Sequence, residues 1–179
     1  MRHGVMPNFY DLPIGDGFPA VVNAMIEIPR GERTKYEYDP QLRVFKLDRV
    51  LHAAVHYPAA YGFIPCTRWA DGDPLDILVV IQEPLFTGCL VQAKPIALLQ
   101  MQDEHGADDK VFSVAVADPM YQDVASLQDV PPHMPREIEH FFTTYKMLEG
   151  KPVRSFGWAD GAAARRAIVQ AHRAYNDQH

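Results

Sequence analysis

Three carboxylates fall within six residues in the stretch Asp71-Gly72-Asp73-Pro74-Leu75-Asp76. Carboxylates at that density repel one another. A fold tolerates them when a hard divalent cation offsets the repulsion, and an all-oxygen donor set suits Mg²⁺, Mn²⁺ or Ca²⁺. Gly72 and Pro74 force a turn, and the apolar run Ile77 to Ile81 follows at once. The acids therefore belong at the mouth of a strand. An EF-hand loop does not fit, because the loop positions that need an acid or amide, a Gly and a Glu hold Leu75, Asp76 and Gln82. An aspartyl-phosphate nucleophile comes just after its strand, whereas here the apolar run follows the acids. An acidic turn that only caps the strand is the remaining alternative.

A second acidic group is Asp103, Glu104, Asp108 and Asp109, followed by Lys110. Read alone it is a solvated hairpin tip. If the fold brings both tips together, there is room for several metals, and paired metals can activate water and neutralise a leaving phosphate. Candidate cations for such a substrate are Lys35, Arg49 and Lys146. Lys35 alternates with Glu37 around Tyr36, which places both side chains on one strand face. Tyr145 falls on the apolar face of a helical pattern, and Tyr57 and Tyr61 alone read as packing residues. His52 and His56 have a spacing that could bind metal on a helix, but His-Ala-Ala-Val-His lacks the Glu of the zinc-peptidase motif.

The elements that must hold these residues read as mainly β. Apolar or alternating segments Ala20 to Ile28, Tyr36 to Tyr38, Val44 to Val50, Tyr61 to Pro65, Leu75 to Ile81, Leu90 to Met101, Val111 to Ala117 and Val153 to Trp158 are short and separated by turn residues. Val44 to Val50 is the hairpin partner of Tyr36 to Tyr38, and Gln102 to Lys110 is a polar loop. From Arg136, after Pro131, Pro132 and Pro135, the positions Ile138, Phe141, Phe142, Tyr145 and Leu148 follow the helical period up to Gly150. Asp160 can cap a final helix with Ala164, Ile168, Ala171 and Tyr175 inward. The expectation is an α+β chain: a small β-barrel with two helices packed on it.

At 179 residues the chain is expected to form one domain over 1–179, with an N-terminal extension at 1–16 and a C-terminal helix at 160–176. The net charge of -6 opposes nucleic-acid binding. No apolar run is long enough to span a membrane, and no leader-like apolar stretch opens the chain. Cys66 and Cys89 lie in no metal pattern; they could pair with each other, but the preferred reading is two reduced thiols of a cytoplasmic protein.

Taken together, these residues resemble the family I inorganic pyrophosphatases in their shorter bacterial form. The signature is Asp71-Gly72-Asp73-Pro74-Leu75-Asp76-Ile77. Ile26-Glu27-Ile28-Pro29, Lys35-Tyr36-Glu37-Tyr38-Asp39, Leu47-Asp48-Arg49, Tyr57-Pro58, Tyr61-Gly62-Phe63-Ile64, Asp103-Glu104 with Asp108 and Lys110, and His140-Phe141-Phe142 with Tyr145-Lys146 stand in family order. The resemblance runs from about Leu12 into the C-terminal helix. It implies an OB-like five-stranded barrel with flanking helices, and hydrolysis of pyrophosphate to two phosphates by a metal-activated water with no covalent intermediate. It implies Asp71, Asp76, Asp103, Asp108 and Glu27 as metal ligands, with Glu27 acting largely through water. Asp73 would accept the proton of the attacking water. Lys35, Arg49, Tyr61, Lys110, Tyr145 and Lys146 would bind the phosphoryl groups, with Glu37 and Tyr57 supporting them from behind. Several Mg²⁺ ions per site are implied, with Mn²⁺ or Zn²⁺ as substitutes and Ca²⁺ as an inhibitor. So are pyrophosphate and phosphate as ligands and a homohexameric assembly. Ala60 stands where an Asn or Asp is common, and the segment between Glu27 and Lys35 is one residue shorter than in some relatives.

A phosphohydrolase for longer or organic polyphosphates is the enzyme alternative. An OB-like binding module with a structural Ca²⁺ site is the non-enzyme one.

Overall fold

The computed structural model describes residues 7–178. The first part of the expected N-terminal extension, residues 1–6, lies outside the described residues. The strands are β1 (Val22–Ile28), β2 (Thr34–Asp39), β3 (Val44–Val50), β4 (Ala60–Phe63), β5 (Asp76–Val80), β6 (Leu90–Asp103), β7 (Gly106–Ala107), β8 (Lys110–Ala115) and β9 (Arg154–Asp160). The helices are α1 (His133–Thr144) and α2 (Gly161–Asn176).

Five strands close on themselves. β1 pairs with β4, β4 with β5, β5 with β8, β8 with β6, and β6 returns to β1. Closure removes free edges, and this is the strand order of an OB-like barrel. All these pairs are antiparallel except β5 with β8, which is parallel. The hairpin β2–β3 is inserted between β1 and β4, and β7 and β9 extend the sheet along the far half of β6.

The pleat explains the unbroken apolar run of β5. Ile77 and Val79 enter one core with Ala164, Ala167, Ile168 and Ala171 of α2, while Leu78 and Val80 enter the other with Ile138, Phe141 and Phe142 of α1. A strand covered on both faces has no need of polar alternation. The small side chains of α2 let that helix lie close to the sheet, and Asp160 caps it by accepting from the Ala163 N–H at 2.8 Å.

Several boundaries differ from expectation. α1 starts at His133 rather than Arg136, with Pro135 inside its first turn. A proline is tolerated there because the first N–H groups of a helix have no partner within it. β6 runs on to Asp103, because β9 and β7 pair with its second half. β9 itself reaches Asp160. The loop after β6 is not wholly irregular, since β7 folds back on Gln102 and Asp103. Tyr175 is only half-buried, and its hydroxyl donates to Asp11 at 2.6 Å instead of packing inward.

Gly62 is required by a close approach. It pairs with Ile26 beside a register shift in β1, and a Cβ there would lie 1.8 Å from the Met25 carbonyl oxygen. Substituting Gly62→Ala must push β1 and β4 apart next to Glu27. We expect a loss of about 3 kcal/mol in urea denaturation. A midpoint equal to that of the parent would show that the strands have room to relax.

Candidate active site

The parallel pairing decides where the acids meet. Parallel strands enter a sheet from the same end, so the turn before β5 and the loop before β8 open on the same side of the barrel. Asp76 opens β5 and is in register with Lys110, which opens β8. Asp71 and Asp73 precede Asp76, while Asp103 and Asp108 precede Lys110. Within the first turn, Asp71 accepts from the Asp73 N–H at 3.1 Å, a local bond that shapes the loop.

A cleft of about 610 Å³ lies over these loops. It is lined by Glu27, Lys35, Glu37, Arg49, Tyr61, Asp71, Asp73, Asp76, Asp103, Asp108, Lys110, Tyr145 and Lys146. Every residue that the family resemblance implies for the site therefore reaches it except Tyr57. Tyr57 is buried behind Tyr61, with ring centroids 5.5 Å apart, and packs on Phe141 at 4.8 Å. Asp109 also turns away, accepting from the Met101 N–H at 2.9 Å and so tying its loop to β6. His52 and His56 are exposed on the loop after β3, not on a helix.

Lys110 stands between the two acidic loops. Its ammonium donates to Asp76 at 2.5 Å and to Asp108, and it is almost fully buried. Burial works against the ammonium, but the two carboxylates outweigh it and raise the Lys110 pKa above lysine's ordinary value. Asp76 also accepts from the Tyr61 hydroxyl at 2.5 Å. Lys146 reaches Asp103 at 3.1 Å. Burial opposes the Asp103 charge, but the His105 N–H and Lys146 hold its pKa below the usual carboxylate range.

The hairpin supplies the opposite wall. Lys35 pairs across it with Arg49, and the register shift beside Lys35 leaves Asp48 as an extra residue on β3. Asp48 contacts Arg49 and lies 3.5 Å from Lys35, while Lys35 also contacts Glu37. Glu149 binds Arg49 at 3.0 Å from the short helical turn after α1. Sequence reasoning assigned no role to Asp48 or Glu149. The only sequence signal was Asp48 beside Arg49, and nothing local linked Glu149 to a residue 100 positions away.

Glu27 is the most enclosed of the acids that line the cleft. It accepts from the Tyr38 main-chain N–H at 2.8 Å, and burial pushes its pKa up to about 8. Repulsion from Asp76 and Glu37 adds to the shift, against the Tyr38 bond and Lys35. Asp71 and Asp73 are also raised, first by burial and then by their acidic neighbours.

Ten carboxylates and six Lys or Arg side chains line the cleft among the described residues. The excess of oxygen donors fits hard divalent cations, and the six basic groups fit a compact polyanion. Among the described residues no three acids, histidines or cysteines are gathered tightly enough to cage one ion. Asp76 and Asp108 turn to Lys110 instead.

Comparison with known proteins agrees with this outline. Residues 24–176 match the family model described as inorganic pyrophosphatase. The chain is 49% identical over 166 residues to an inorganic pyrophosphatase of Thermus thermophilus, covering 91% of this chain and 95% of that one. It is 46% identical over 168 residues to one of Haloferax volcanii, covering 93% and 95%. The crystal structure of inorganic pyrophosphatase from Thermus thermophilus superposes with a TM-score of 0.92 at 46% identity, covering 95% of this chain and 99% of that chain. The structure from Helicobacter pylori does so at 0.84 and 34%, covering 96% and 98%. The chain belongs to the family I inorganic pyrophosphatases.

The elevated Glu27 pKa has a consequence for stability. The folded group binds a proton between its ordinary value of 4.5 and about 8, whereas the unfolded one does not. In metal-free protein, stability therefore falls as pH rises through that window. Glu27→Gln keeps an acceptor for Tyr38 and removes the charge. In EDTA it should raise the Tm by about 3 °C at roughly pH 8.5, about 1 kcal/mol for a chain of this size, and have little effect near pH 4.5. An equal effect at both pH values would contradict the buried-charge reading.

Proposed function

We propose that this cleft hydrolyses inorganic pyrophosphate to two orthophosphates by direct attack of water. The observation that carries the reading is the convergence of both acidic loops with Lys35, Arg49, Lys110, Tyr145 and Lys146 on one cleft, in a chain of this family. Pyrophosphate is small and highly charged, and its own charge repels an incoming nucleophile. Lys35 and Arg49 on one wall and Lys146 on the other can hold its two phosphoryl groups and spread that charge in the transition state. Tyr145, buried at the end of α1, and Tyr61 would add neutral donors.

Members of this family depend on metals. Asp71, Asp76, Asp103 and Asp108 would hold the ions directly, and Glu27 would do so largely through water. Bound there, the ions would offset the carboxylates, polarise the phosphoryl oxygens and acidify a water. Mg²⁺ suits the donor set, Mn²⁺ or Zn²⁺ could substitute, and Ca²⁺ would compete as an inhibitor because it favours looser coordination.

Asp73 takes the proton of the attacking water. Burial and its acidic neighbours raise its basicity, which suits that role. The water oxygen forms a bond to one phosphorus, the bridging P–O bond breaks, and the second phosphate leaves. Glu37 holds Lys35 in place, and Tyr57 supports the Tyr61 ring.

The protein is expected to work in the cytoplasm, consistent with two free thiols. Among the described residues no helix is long and apolar enough to cross a membrane. Assembly as a homohexamer is in keeping with exposed apolar side chains such as Phe86 and Met120, and light scattering checks it.

Asp73→Asn should lower kcat by about a hundredfold or more and change KM little, because it removes a proton acceptor and leaves the phosphate-binding cations. Full turnover in steady-state phosphate release would contradict the assignment.

A further inference from the structure

One residue in the cleft wall comes from a segment to which the sequence assigned no role. Tyr10 lies in the short helical turn Phe9–Asp11, ahead of the barrel, and lines the cleft beside Glu27 and Asp73. Its ring meets Phe63 of β4 edge-on at 4.9 Å and Tyr38 of β2 at 5.4 Å. Phe9 also stacks on Tyr38, at 4.8 Å, and the Phe9 N–H donates to the Tyr38 hydroxyl at 3.0 Å. Tyr38 is thus held by two consecutive residues, one stacked on its ring and one edge-on.

What Tyr38 does makes the grip matter. Its main-chain N–H is the donor that holds the Glu27 carboxylate. Tyr10 is in turn fixed at its own backbone. Its N–H donates to Asn8 at 3.2 Å, and its carbonyl accepts from the Cys66 N–H at 2.7 Å. The segment, the hairpin and the barrel meet in a small cluster of Met25, Tyr38 and Phe63 with Phe9, Tyr10, Leu12 and Phe45 around it. Of these seven, only Tyr10, Tyr38 and Phe63 also line the cleft.

We propose that Tyr10 is a positioning residue for the hydrolysis. Wedged between Tyr38 and Phe63, it holds the β2 backbone against Glu27 and keeps that carboxylate aimed into the cleft. The ring does this work, since the hydroxyl makes only a long bond of 3.5 Å to the Tyr38 carbonyl. The inference rests on the reading of Glu27 as a group that holds Mg²⁺ through water.

The test compares Tyr10→Ala, Tyr10→Phe and Leu12→Ala in full-length protein. Leu12 packs in the same cluster but does not line the cleft, so it reports loss of packing alone. Two quantities are read: the Mg²⁺ concentration for half-maximal pyrophosphate hydrolysis, and the Mg²⁺ concentration for half of the Mg²⁺-induced thermal shift. Tyr10→Ala should raise both by about tenfold, the size seen when a group behind a metal ligand is lost. Tyr10→Phe should match the parent. Leu12→Ala should lower the Tm and leave both Mg²⁺ values unchanged. In a Glu27→Gln background, Tyr10→Ala should have no further effect on either, because the two residues act through one group. Unchanged Mg²⁺ values in Tyr10→Ala, an equal change in Leu12→Ala, or full additivity with Glu27→Gln would overturn the proposal. If the parent does not hydrolyse pyrophosphate, the functional reading falls, while the thermal-shift series still decides the role of Tyr10.

Discussion

The parallel contact between β5 and β8 is the constraint on which the site depends. It is the one parallel pair in an otherwise antiparallel barrel, and it aligns Asp76 with Lys110 at the start of both strands. Two acidic loops, more than 20 residues apart along the chain, are thereby forced to one end. Any antiparallel arrangement of those strands would place the loops at opposite ends and dissolve the site. Lys110 makes the arrangement tolerable. Its buried ammonium sits between Asp76 and Asp108, and removing one partner of such a buried pair generally costs several kcal/mol.

From that junction the remaining parts follow in layers. Tyr61, next along the sheet on β4, donates to Asp76 and is backed by Tyr57 and Phe142. The aromatic stack of Phe141, Phe142 and Tyr145 fixes the end of α1, and Lys146 follows directly to meet Asp103. The hairpin stands across the cleft and carries Lys35 and Arg49, each restrained by a carboxylate. The cations proposed to bind phosphate are thus held by acids behind them rather than left to choose among conformations. Preorganisation of this kind is what electrostatic catalysis requires.

Much of this was legible in the sequence. The turn residues and short apolar or alternating runs located the hairpin and the barrel strands, and the helical period and a cap located both helices, because those signals are local. The bounds of Val44–Val50 and the capping role of Asp160 agree with the structure. The density of Asp71, Asp73 and Asp76 pointed to cations without reference to the fold. What was hidden depends on distant pairing. No local pattern shows that β5 and β8 run parallel, that Asp109 turns back to Met101 while Asp108 faces the cleft, or that Glu149 holds Arg49. Tyr10 was hidden for another reason. Its segment has no periodicity, and its effect is relayed through the backbone N–H of Tyr38, a donor every residue but proline possesses.

The measurement that bears most directly on the account is phosphate release from pyrophosphate with and without Mg²⁺, run beside ATP. Rapid release from pyrophosphate that requires Mg²⁺, with little from ATP, is the predicted result. It would mean that the acidic loops and the cation wall act together on a compact diphosphate. Release from ATP exceeding that from pyrophosphate, or no release with any divalent cation, would contradict it.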